Sequence, residues 1–147
     1  MAMGKSRIIS MLLWTWGGTV YFFMEVIWKT FSNHPERIHW SMLLIAILLC
    51  AVLERGGAQC PWEMPLTLQA FLCTVLIIVV ELLSGIVLNI WLNLNIWDYS
   101  HLWGNFMGQI CPQFCILWYF LCLIFIPVFD YLRYSVEGGE KPHYTLI

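Results

Sequence analysis

Within the apolar run Leu66–Leu92 a single ionisable residue, Glu81, stands alone. A run of that length crosses a bilayer as one helix, because lipid offers no partners to unpaired backbone N–H and C=O groups. Its small and polar residues fall at Glu81, Gly85 and Asn89, with Asn93 just beyond. A spacing of four keeps them on one slowly drifting helical stripe. The earlier run Ile8–Phe31 repeats the design with Gly17, Tyr21, Glu25 and Lys29. A carboxylate at membrane depth costs several kcal/mol, so an intramembrane acid is by default a functional-site hypothesis.

The rest of the chain agrees with a membrane setting. Of 147 residues, 61% are hydrophobic and only 11% charged, against about 25% charged in soluble domains. A net charge of −2 with no basic stripe gives nucleic acid nothing to follow. One membrane domain over 1–147 is expected, and any ATPase engine must then belong to another chain. Lys5 and Arg7 precede the first apolar run as in a signal peptide. That run is long, contains Glu25 and lacks a small-x-small cleavage site, so it reads as a retained span. The six cysteines lie mostly in apolar runs, where thiols act as small hydrophobes. Cys111 and Cys115 share a face but lack further ligands, so no metal site is expected, and no pattern identifies a cofactor.

The expected fold is all-α, an integral membrane bundle of four transmembrane helices at about 8–31, 38–53, 66–92 and 107–131. Ser32-Asn33-His34-Pro35 stops the first. Glu54–Met64 reads as a polar hairpin, with Pro65 suited to the next first turn. Pro112 and Pro127 fall inside the fourth span, and the polar tail from Arg133 is expected to fray. Lys5, Arg7, Arg55, Arg133 and Lys141 fall on one side, against Lys29 and Arg37 on the other. The excess puts both termini in the cytoplasm of a multi-pass cell-membrane protein.

Glu25 has Lys29 one turn onward, either as a boundary pair with the lysine snorkelling outward or as part of a desolvated site. Glu81 has no cation within four residues, so its partner must come from elsewhere: Lys29, Gln109, Tyr21, a substrate cation or a proton. Gly17, Gly18 and Gly85 permit close helix packing, which would also bring the two acidic stripes together. Asn89, Asn93, Asn95, Trp97, Asp98 and Tyr99 form either a capped helix end or a pocket mouth selecting a polar ligand. His34, His39 and His101 fall on the same side as Asp98, without paired-ligand spacing.

These residues also resemble a known pattern. Gly17, Gly18, Tyr21 and Glu25 in the first span, His39–Met42 (HWSM), and Glu81, Gly85 and Asn89 are part of it. So are Ile96–Ser100 (IWDYS) and Gly108–Cys111 (GQIC) with Trp118. Over nearly its whole length the chain resembles the bacterial "putative ABC-transporter type IV" membrane family, and the resemblance implies a permease. The chain departs from the family's glycine-rich second span at Ile45–Cys50, and the 54–64 hairpin is its sole candidate for coupling to an ATPase.

The leading expectation is a small transporter or transport-system subunit. Glu25 and Glu81 would bind protons, cations or substrate, with Tyr21, Asn89, Gln109 and Asp98 supplying further polar contacts. Its partners would be the bilayer, further copies of itself and a separate ATPase or other subunit. A non-transporting binder or sensor of a lipid, quinone or haem is the alternative. A membrane enzyme ranks third: His39 or His101 could join the acids in acid–base chemistry, yet no nucleophile–base spacing is visible.

Overall fold

Residues 7–146 of the chain are described by a computed structural model, so Lys5 and its share of the charge bias lie outside the described residues. Four α-helices follow one another: α1 (Arg7–Phe31), α2 (Ser41–Gln59), α3 (Leu66–Gly85) and α4 (Pro112–Glu137). Among the described residues no strand forms, only an isolated bridge between Phe106 and Ile110. The all-α expectation holds.

Local chemistry sets the helix ends. After α1 the chain turns left-handed at Asn33 (φ 61°). His34 N–H reaches Lys29 O at 2.8 Å and Asn33 N–H reaches Thr30 O at 3.3 Å, the paired bonds of a Schellman C-cap. A short 3₁₀ turn, Pro35–Arg37, leads into α2. α3 loosens past Gly85 into a π-helical segment, Ile86–Trp91, that carries the same rod further.

Three expected boundaries are corrected. α2 runs on to Gln59 rather than ending at Leu53, so Glu54 to Gly57 are helical and the hairpin shrinks to residues 60–65. Extra turns against α4 outweigh the two glycines. α4 begins at Pro112, not Met107, since a proline needs no N–H partner in a first turn. It continues through Arg133 to Glu137, and only Pro127 is internal. The tail is docked rather than frayed: Leu66 N–H donates to Thr145 O (2.8 Å), Tyr144 Oη to Asp130 Oδ2 (2.6 Å), and His143 stacks on Trp62.

α2, α3 with its π continuation, and α4 are each long and apolar enough to cross a membrane. α1 matches them in length, but three tryptophans, its glycines and the Tyr21–Glu25–Lys29 stripe lower its hydropathy. It lies closely along α2. A Cβ on Gly18 would come within 2.7 Å of Ile47 N, and one on Gly17 within 2.6 Å of the Phe129 ring. α3 packs on α4 and α2, while the backbones of α1 and α3 stay apart. The two acid-bearing helices therefore face each other diagonally across the bundle, and their glycines pack against other partners. Leu13, Leu49, Leu53, Ile77, Ile126 and Phe129 form the apolar core. Outward-facing Phe71, Leu72, Val75, Leu76, Val79 and Leu83 on α3 remain exposed, as a lipid-facing surface requires.

Candidate functional site

Both acids reach one cavity from opposite corners. It measures about 40 Å³ and is lined by Tyr21, Glu25 and Lys29 of α1, Met42, Ile45, Ala46 and Leu49 of α2, Glu81 of α3 and Trp118 of α4. Trp97 and Tyr99, from the long loop before α4, cover it. Glu81 is 7% exposed, and the Glu25 side chain 22%.

Two stacked rings link the acids. Tyr21 lies on Trp118 with centroids 5.0 Å apart. The Tyr21 hydroxyl donates to Glu25 Oε1 at 2.8 Å, and the Trp118 indole N–H to Glu81 Oε2 at 3.0 Å. Tyr99 places its hydroxyl beside Glu81. Burial first, and the nearby carboxylates second, push that phenol well above its usual range. Tyr99 therefore keeps its proton.

Lys29 turns inward rather than snorkelling out. It is 8% exposed and donates to Ile96 O (3.0 Å), Arg37 O (3.2 Å) and Met42 Sδ (3.1 Å), with Glu25 Oε2 at 3.8 Å. Among the described residues it is the sole lysine or arginine lining the cavity, against two carboxyl groups. If both acids ionised, the site would lack one positive charge.

The other expected site residues occupy different places. Asn89 and Gln109 stand next to the cavity without lining it. Asn89 Nδ2 donates to Gln109 Oε1 at 2.8 Å, and its Oδ1 accepts from Ile96 N–H at 2.7 Å. Gln109 Nε2 donates to Met107 O, and Gln109 O accepts from the Trp97 indole. Gly85 leaves room for this clasp, since a Cβ there would sit 2.5 Å from Gln109 Oε1. The clasp anchors the covering loop to the end of α3. Asp98 lines an outer vestibule of about 250 Å³ with Trp28, Lys29, His34, Arg37 and His101. Its carboxyl accepts from Ser100 N–H at 2.9 Å, and that bond holds it below the usual carboxylate range. Glu25, Lys29, Trp97 and Tyr99 border both spaces, so the vestibule adjoins the cavity on the Glu25 side. His39 instead pairs with Ser41 at the start of α2. Among the described residues no cluster of three or more metal-ligating side chains occurs.

At the opposite end of the bundle lies a polar network absent from the sequence-based expectations. Arg133 of α4 donates to Glu54 Oε1 of α2 (2.6 Å), Ser10 Oγ of α1 (2.7 Å) and Glu137 Oε2 (3.0 Å). The Trp14 indole donates to Glu54 Oε2 at 3.2 Å. Arg133 and Glu54 are both buried. Taking Glu54 as hairpin and Arg133 as tail hid this pair. A helical signal was available: Trp118, Cys122, Ile126, Phe129 and Arg133 lie three or four apart, and all are buried on α4.

No curated protein and no solved structure matches the chain. A family model does match it, over residues 8–137. Those residues take in all four cavity-lining helices, the covering loop and both acids, and so the chain belongs to the membrane family described as "Putative ABC-transporter type IV".

Proposed function

We propose that the protein is a membrane subunit of a transport system in which Glu25 and Glu81 share a site for a proton or small cation. One observation carries this: two carboxyl groups and a single lysine line one cavity inside a bundle of membrane-length helices. An anion held away from water needs a compensating charge. Lys29 supplies one such charge beside Glu25, and a bound proton or cation supplies the other beside Glu81.

The cavity has room for a few waters at most. It suits a proton or a bare cation, not a bulky solute. The vestibule provides entry from the loop end, past Asp98 and Glu25. Tyr21, Tyr99 and Trp118 orient the carboxyl oxygens by donating to them or standing beside them. Loading the site changes the interior charge by one, and neutral and charged acids favour different surroundings. Occupancy therefore biases the bundle between two arrangements. Larger cargo would move between copies of the chain or beside a partner, and an ATP-hydrolysing subunit is the partner that the family description suggests.

Proteoliposomes holding a pH-sensitive dye test the proposal. Under an imposed potassium diffusion potential, the wild-type protein should admit protons above the rate of empty vesicles. Glu81→Gln should cut that flux at least tenfold while circular dichroism stays helical. Flux no greater than that of empty vesicles, or undiminished flux in Glu81→Gln, would overturn it.

A further inference from the structure

The bundle end far from the acid cavity carries a second recess. Between the first turns of α1 and the last turns of α2 lies a cleft of about 390 Å³, lined by Arg7, Ser10, Trp14, Glu54, Arg55 and Gln59 among others. Arg7 and Arg55 are exposed, and neither is in an ion pair among the described residues. Arg55 is held over the Trp14 ring at 5.0 Å, a cation–π contact that orients the guanidinium before any ligand arrives.

Glu54 does not cancel this positive charge. Its two oxygens are taken by the Arg133 guanidinium at 2.6 Å and the Trp14 indole at 3.2 Å. The cleft is lined by Arg7 and Arg55 against Glu54 alone, and Glu54 is already paired with Arg133.

We infer that this cleft binds a phosphate-type anion, of the kind presented by an acidic phospholipid headgroup. Guanidinium groups match phosphate oxygens with paired N–H donors. Trp14 suits the headgroup level, where an indole lies between wet and dry. Basic recesses between membrane helices take anionic headgroups by the same chemistry. The site is separate from the acid cavity, and its ligand does not depend on what Glu25 and Glu81 bind.

The full chain in neutral-detergent micelles tests this. Short-chain phosphatidylglycerol should raise the thermal midpoint by several degrees more than phosphatidylcholine does. Native mass spectrometry should retain the anionic lipid in preference. Both effects should vanish in the Arg7→Gln, Arg55→Gln double variant, whose side chains lie outside the core; its midpoint in phosphatidylcholine controls for folding. Equal responses to the two lipids together with no protection by inorganic phosphate, or a phosphatidylglycerol response that survives the double variant, would overturn the site. Protection by millimolar inorganic phosphate without protection by phosphatidylglycerol would sustain the anion site and assign its ligand to the soluble phase.

Discussion

Tyr21 and Trp118 do more than fill space between the acids. Each ring stacks on the other and gives its one polar hydrogen to a different carboxyl group. The buried Arg133–Glu54 pair has the opposite character: charges that satisfy each other and leave little to exchange. Removing one partner of such a pair strands the other, at about 3–5 kcal/mol. Arg133→Met should therefore lower thermal stability strongly. Adding Glu54→Gln should recover part of the loss, because the stranded charge is then gone. A double-mutant cycle in thermal melts checks this, and strictly additive losses would show that the two residues are not coupled.

The glycines of different helices differ in what they permit. Gly18 sits against the backbone of Ile47, which cannot move aside without shifting α2. Gly57 has only the Ile126 side chain nearby, at 3.5 Å, an ordinary contact. Alanine is intrinsically about 1 kcal/mol better than glycine inside a helix. Gly57→Ala should then be neutral or mildly stabilising, whereas Gly18→Ala should destabilise by about 1–3 kcal/mol through overpacking. Comparing the two melting midpoints decides it, and equal behaviour would remove close α1–α2 contact as the reason for Gly18. The helix boundaries carry a related lesson. The stop after α1 was legible because Asn33 and Pro35 act locally. The end of α2 was not, because the helix continues through two glycines while packing on its neighbours.

At the scale of the whole molecule, Glu25 opens toward the loop end, where it lines both the cavity and the vestibule. Leu13, Leu53, Ile126 and Phe129 pack the bundle toward the other end. With the protein reconstituted in a single orientation, a hydrophilic carbodiimide added at the loop side should modify Glu25. The same reagent added at the terminal side should leave it untouched, as read by peptide mass spectrometry. Equal modification from both sides would contradict a core sealed at the terminal end. The sequence by itself determined the four helices, the membrane setting and the Tyr21–Glu25–Lys29 stripe, since hydropathy, caps and a spacing of four act within one segment. Tertiary structure alone decided that Lys29 turns inward, that Trp118 and Tyr99 meet Glu81, and that Asn89 clasps Gln109. It also paired Arg133 with Glu54, 79 positions away. Periodicity along one helix says which residues share a face; which neighbour that face meets depends on how all four helices pack at once.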